Sequence, residues 1–280
     1  MNPVWQIYGI DLASPRVMAV VNVTPDSFYA ASRTADAESI VARVRSAVEE
    51  GAAIIDVGGF SSRPGADDVA VVEEIRRVEM GIRAVREVSR DIPVSVDTFR
   101  AAVARHALKI DSRIVVNDIS AGTLDPEMIP TVAEAGVPYV AMHMRGTPAT
   151  MSSLTDYDDV VSEVAGWLSR RADFMMKCGM RAENIILDPG FGFAKSVPQN
   201  YELMNGLHEI CALGFPVVAG ISRKSMIWRV LGSSPDEALA GTSALNWEAL
   251  RQGAKLLRVH DVRAAADTVK IFNEFQNNRQ

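Results

Sequence analysis

Eight short apolar runs recur along this chain, and each one breaks into polar or charged residues at its carboxyl end. They cover residues 17–23 with Asn22, 52–59 with Asp56, 94–98 with Asp97, and 114–120 with Asn117 and Asp118. The rest cover 138–144 with His143, 184–188 closing on Asp188, 216–224 closing on Lys224, and 255–262 with Arg258, His260 and Asp261. Strands buried on both faces by helices read as near-continuous Val/Ile runs, so polar groups confined to one end imply a shared polar mouth.

The repeat averages about 31 residues, which is what one strand and one crossover helix require. Between the runs, helical spacing appears at 37–50, 68–90, 101–108, 125–135, 158–178 and 235–252. Gly51, Gly136, Gly179 and Gly253 follow four of these stretches, where a left-handed residue closes a helix. The pattern predicts an α/β fold, a (β/α)8 TIM barrel, with an open doubly wound sheet as the structural alternative. The residues before Val17, including Trp5 and Tyr8, read as a short strand or hairpin ahead of the barrel, with Trp5 there for packing.

With 48% apolar residues and no Pro/Gly/Ser-rich divide, residues 1–280 read as a single domain. No apolar run approaches membrane-spanning length and no signal-like segment opens the chain, so neither membrane insertion nor secretion is expected. Cys178 and Cys211 stand alone, which predicts reduced, packed thiols and a cytoplasmic protein. A net charge of −6 offers no footprint for nucleic acid.

Familiar motifs fail in useful ways. The segment Gly190-Phe191-Gly192-Phe193-Ala194-Lys195-Ser196 lacks the third Gly of a dinucleotide fingerprint and the Gly before Lys of a P-loop. No H-E-x-x-H or Cys/His cluster suggests zinc, and Ser61, Ser62 and Ser222 lack the nucleophile-elbow context. The strand ends supply two other sets instead. Asp97, Asn117, Asp188 and Lys224 offer carboxylates and an amide to N–H donors and an ammonium to a carbonyl, which suits an amino-pyrimidinone edge. Asn22, Arg63, Arg258 and His260, with Ser222 opening the helix after the seventh run, suit a phosphoryl group. Blander readings compete: Asp97 as a helix cap, Asp188-Pro189-Gly190 as a turn, His143 as a bonded core residue, and Arg76, Arg77, Arg83 and Arg86 as a solvated helix face.

The order of motifs resembles the dihydropteroate synthases from about Val17 to Val262. The carriers are Asn22-Val23-Thr24-Pro25-Asp26-Ser27-Phe28, Ile55-Asp56-Val57-Gly58-Gly59 with Ser61-Ser62-Arg63-Pro64-Gly65, Ser95-Val96-Asp97-Thr98 and Val116-Asn117-Asp118. Downstream come Met142-His143-Met144-Arg145-Gly146-Thr147-Pro148, Leu187-Asp188-Pro189-Gly190-Phe191-Gly192-Phe193, Ser222-Arg223-Lys224-Ser225 and Arg258-Val259-His260-Asp261-Val262.

The resemblance implies a transferase of folate biosynthesis that joins 6-hydroxymethyl-7,8-dihydropterin pyrophosphate to p-aminobenzoate with release of pyrophosphate. It implies that Asp97, Asn117, Asp188 and Lys224 hold the pterin, and that Asn22, Arg63, Arg258 and His260 hold the pyrophosphate, with Mg2+ through Asn22. Phe28, Ser62, Pro64, Ser222 and Arg223 would frame the p-aminobenzoate, and Arg63, Lys224, Arg258 and His260 would carry catalysis. It further implies a homodimer and a sulfonamide target. Two loops depart from the family pattern: Phe28 runs into Tyr29-Ala30-Ala31-Ser32 where an acidic, glycine-rich stretch is usual, and Phe60 replaces a usual Glu. A methyltetrahydrofolate-type methyltransferase and a non-catalytic pterin-binding homologue are the alternatives.

Overall fold

The computed structural model describes residues 5–23, 33–60 and 69–278. A two-residue hairpin pair, β1 (Gln6–Ile7) and β2 (Ile10–Asp11), precedes eight parallel strands. These are β3 (Arg16–Asn22), β4 (Ile54–Gly58), β5 (Val94–Asp97), β6 (Ile114–Asp118), β7 (Tyr139–Met142), β8 (Ile185–Asp188), β9 (Val218–Ala219) and β10 (Leu256–Val259). Their spatial order is β8-β7-β6-β5-β4-β3-β10-β9. A parallel bridge between Leu187 and Val217, with Leu187 N donating to Pro216 O at 2.9 Å, joins β8 to the start of β9 and closes the ring.

Around the barrel lie α1 (Arg33–Glu50), α2 (Val71–Val88), α3 (Ala101–Ile110), α4 (Met128–Ala135), α5 (Val160–Lys177), α6 (Val197–Asn205), α7 (Leu207–Cys211), α8 (Ser225–Leu231), α9 (Leu239–Gln252) and α10 (Val262–Asn277). Each buries an apolar stripe against the outward faces of the strands; in α2 the stripe is Val78, Ile82 and Val85, all fully buried. Gly81 lets that helix come close, since a Cβ there would meet Val57 Cγ1 at 2.3 Å.

The inward faces form layers, because residues two apart on a strand point the same way. At the amino end, Met18, Ile54, Val115, Val140, Ile186, Val218 and Leu256 pack into an apolar floor, which Ile7 and Leu12 of the hairpin region seal from below. Two residues further along β4, β6, β8 and β10 come Asp56, Asn117, Asp188 and Arg258. The chemistry of the barrel interior therefore changes from hydrocarbon to charge within one pleat.

The hairpin and Trp5 conform to expectation: the Trp5 ring packs tilted against Phe215 with centres 5.8 Å apart. The seventh strand is shorter than its run suggests, because residues 220–224 leave the ladder to form a loop ahead of α8. Helices α6, α7 and α10 had no predicted counterpart, although Ser196 and Gln199 form a reciprocal capping box at the start of α6, and the helix expected to open at Ser222 begins at Ser225 as α8. Arg77 and Arg86 do not belong to a solvated face. Arg77 is buried and donates to Gly59 O at 3.1 Å, and Arg86 donates to Ile92 O at 2.7 Å. Cys178 is exposed rather than packed, because it lies past the last turn of α5; both cysteines are free thiols. No helix among the described residues is long and apolar enough to cross a membrane.

Candidate active site

Register explains why the mouth is charged. Asn22 pairs with Gly58, Gly58 with Asp97, and Asp97 with Asn117, so three polar side chains from β3, β5 and β6 stand at one level. One layer down, Arg258 reaches across the barrel between two carboxylates, with Nε 2.7 Å from Asp56 Oδ2 and Nη2 2.5 Å from Asp97 Oδ2. Asn117 Nδ2 donates to Asp56 Oδ1 at 3.2 Å, which completes a buried network from four strands.

Low dielectric makes these charges interdependent. Burial pushes Asp97 up to about 7 against the pull of Arg258, and the nearby Asp56 charge adds to the rise. Burial opposes the Arg258 charge as well, but Asp56 and Asp97 outweigh it and its pKa is raised.

Opposite this network, Asp188 ends β8 in a buried position, and burial raises its pKa despite Lys224 and the N–H of Gly190. Gly190 N donates to Asp188 Oδ1 at 2.7 Å, so the turn reading of this aspartate holds. Lys224 Nζ donates to Phe191 O and stands 4.8 Å from the centre of the Phe193 ring. Burial lowers Lys224 to about 8, with Asp188 opposing the fall.

The last two strands carry the remaining groups. Ser222 Oγ accepts from His260 N at 3.1 Å and lies 3.1 Å from His260 Nδ1. Arg223, at φ +57, is held by Asp261 through a fork at 2.9 and 2.7 Å and by Asp236 at 3.0 Å. Helix α8 has seven residues and Lys224 at its N-cap position without a side-chain cap, and Ile227 N of its first turn donates to Lys224 O at 2.9 Å.

A family model described as pterin binding enzyme matches residues 18–260. The chain is 41% identical over 268 residues to the dihydropteroate synthase of Haemophilus influenzae, covering 96% of both chains. The chain belongs to the pterin-binding enzymes. Among solved structures, the dihydropteroate synthase of Xanthomonas albilineans with 4-aminobenzoic acid superposes with a TM-score of 0.91 at 39% identity, covering 100% of each chain. The same enzyme in complex with 7,8-dihydropteroate gives 0.87 at 37% identity, covering 99% of this chain and 100% of the other.

In this pterin-binding enzyme the structure brings together Asp97, Asn117, Asp188, Lys224 and Arg258 within the mouth, while Asn22 ends β3 and Ser222, Arg223 and His260 follow β9 and β10. Phe28, Ser62, Arg63 and Pro64, together with Asp26, Tyr29 and Ala30, lie outside the described residues. Phe60 is described: its ring meets Phe99 edge to face at 5.3 Å, and the Arg100 guanidinium lies 5.3 Å from the centre of each ring. Asp97 does not cap a helix, since α3 starts only at Ala101, whose N–H donates to Asp125 Oδ2 at 2.7 Å.

Two buried residues in and behind the mouth escaped sequence reasoning. Asp56 was visible as a strand-end polar group without a role, yet it lies two residues above Ile54 on the inward face and is fully buried against Arg258. Lys195 belongs to the glycine-rich segment that failed as a nucleotide loop, and it is buried beside His143 at 3.1 Å.

Proposed function

We propose that the chain condenses 6-hydroxymethyl-7,8-dihydropterin pyrophosphate with p-aminobenzoate, giving 7,8-dihydropteroate and pyrophosphate, the dihydropteroate synthase reaction. The observation that carries this reading is the buried polar layer of Asp56, Asp97, Asn117, Asp188 and Arg258 at the carboxyl mouth of a closed barrel. A flat ring with N–H groups on one edge and a carbonyl on another meets carboxylates from β5 and β8, an amide from β6 and the Lys224 ammonium.

The residues then divide the work. Asp97, Asn117 and Asp188 orient the pterin edge, and Lys224 donates to its carbonyl. Asn22, Arg63, Arg258 and His260 receive the pyrophosphate, where preorganised cations lower the barrier to its departure. Phe28, Ser62, Pro64, Ser222 and Arg223 frame the p-aminobenzoate, whose weakly basic amine needs little help in losing its proton. Arg223 serves as a wall of that subsite, because Asp261 and Asp236 already occupy its guanidinium.

Mg2+ fits this arrangement as a companion of the substrate. Among the described residues no group of three or more His, Cys, Asp or Glu side chains could hold a metal, while the Asn22 amide oxygen ends β3 close over Gly58, where a Cβ would stand 3.5 Å from it. One neutral oxygen suits an ion that keeps its waters and takes phosphate oxygens. Bound there, Mg2+ would neutralise charge on the leaving pyrophosphate.

Two copies are proposed to assemble as a homodimer, checked by sedimentation. A cytoplasmic location suits the free thiols Cys178 and Cys211. A coupled assay of pyrophosphate release tests the activity: release should depend on p-aminobenzoate, and its absence with all substrates and Mg2+ present would refute the assignment.

A further inference from the structure

The loop 189–196 between β8 and α6 forms one wall of the mouth, and its shape is set from behind. Lys195 is 8% exposed, so its ammonium is held inside the protein. Its Nζ meets His143 Nδ1 at 3.1 Å, Gly190 O at 3.0 Å and Phe193 O at 2.9 Å. An ammonium has three donors, and all three are thereby used, so Lys195 has none left for a substrate. Removing an ammonium from water is costly, and the three groups that bond it are neutral. Burial lowers Lys195 to about 7 with the Asp188 charge opposing the fall, and burial with the cations Lys195 and Arg145 lowers His143 to about 2. His143 is therefore a neutral imidazole that offers a lone pair at Nδ1.

What the ammonium holds matters more than what it costs. The two carbonyls it grips belong to Gly190 and Phe193, the ends of a tight turn in which Phe193 N also donates to Gly190 O at 3.0 Å. Between them lies Phe191, whose carbonyl accepts from Lys224, and Gly190 itself supplies the N–H on Asp188 Oδ1. The Phe193 ring is the one beneath the Lys224 ammonium. Asn200 is a second post: its Oδ1 accepts from Gly192 N at 2.6 Å, and its Nδ2 donates to Ser196 O at 2.7 Å. Just past β7, His143 N donates to Asp188 O at 3.0 Å, so the tie has its own fixed base.

We propose that Lys195, seated on His143, is a positioning residue for the pterin subsite: it pins the Gly190 and Phe193 carbonyls and thereby aims Asp188, Lys224 and the Phe193 ring. It touches no reacting atom. Losing it should loosen the wall that faces the ring substrate and leave Ser222 and Arg223, which follow β9 on the p-aminobenzoate side, in place. The proposal rests on the assigned pterin condensation, and wild-type pyrophosphate release is the control that separates the two.

The test compares Lys195→Met with wild type in steady-state turnover and in calorimetric binding of the pterin pyrophosphate. The expected result is a KM and a Kd for the pterin pyrophosphate raised about tenfold, the scale for one lost charge-assisted hydrogen-bond set, with the p-aminobenzoate KM within about twofold of wild type. His143→Leu should move the same constants in the same direction, and His143→Gln, whose amide oxygen again accepts from Lys195, should restore them. Where Lys195→Met does not fold, the His143 pair carries the comparison. A fall in active fraction or kcat with unchanged pterin KM and Kd would overturn the proposal, as would an equal rise in both KM values or a failure of His143→Gln to rescue.

Discussion

Arg258→Met removes the one cation that separates Asp56 and Asp97, and the structure fixes what remains. Asp56 is fully buried, the Asp97 side chain is 19% exposed, and Arg258 bonds both at 2.7 and 2.5 Å. Taking one partner from a buried ion pair costs about 3–5 kcal/mol, because the surviving charge stays buried without compensation. The variant has a way out through protonation. Asp97 titrates at about 7 even beside the guanidinium, and without Arg258 its pKa rises further above the unfolded value. A carboxyl raised in the folded state binds more protons there than when unfolded, so stability falls as pH rises, by about 1.4 kcal/mol per unit at most for one group. Urea unfolding of Arg258→Met should therefore show a larger deficit near pH 8 than near pH 6. Adding Asp56→Asn removes the stranded charge, so the double variant should recover most of the stability while turnover stays down by about 10²-fold, the scale for one lost charge-stabilising donor. A double variant as unstable as the single one, or a deficit independent of pH, would refute the reasoning. Near-normal turnover in either variant would remove Arg258 from the chemistry.

Acid should act through His143. Its folded pKa is lowered to about 2 by burial and by Lys195 and Arg145, with Tyr157 and Trp167 as neutral ring neighbours, whereas the unfolded value is 6.5. The unfolded chain thus binds the extra proton between those values, stability is complete above 6.5 and declines as pH falls, and His143→Gln should flatten that decline by about 2 kcal/mol at pH 5 in urea titrations. Gly190→Ala should abolish pterin binding in calorimetry and lower Tm, because a Cβ there would lie 2.0 Å from His143 O at φ +69; wild-type binding would show that the turn yields. Chelating Mg2+ should weaken binding of the pterin pyrophosphate but leave binding of the pterin alcohol, which lacks the phosphates, unchanged; equal weakening of both would move the ion away from Asn22.

The fold was legible because a parallel sheet imposes one direction on every strand, so the polar end of each apolar run marked the same rim. Asp97, Asn117, Asp188 and Lys224 could be grouped on that ground, with Arg258 set apart beside Asn22, Arg63 and His260. Their partnerships could not, because register across strands decides that Arg258 lies between Asp56 and Asp97, and register is a property of the closed ring. Asp56 was hidden for the same reason, although stepping by two from Ile54 reaches it. Lys195 was hidden because its segment was weighed against nucleotide motifs, and a lysine among glycines and phenylalanines carries no periodic signal. Arg77 and Arg86 show the opposite error: their spacing resembles a wet helix face, but the backbone carbonyls of Gly59 and Ile92 draw them inward.

The barrel has an unequal circumference. Seven of its junctions are ladders, whereas β8 and β9 meet through one bridge at Leu187 and Val217, and β9 itself has two residues. Asp188 stands on one side of that seam, and Lys224, which follows β9, on the other. A ring substrate held by both would act as a staple across the least-sewn joint, so ligand binding and the integrity of the hoop become one event. The amide of Leu187 should then exchange with solvent more slowly once the pterin is seated.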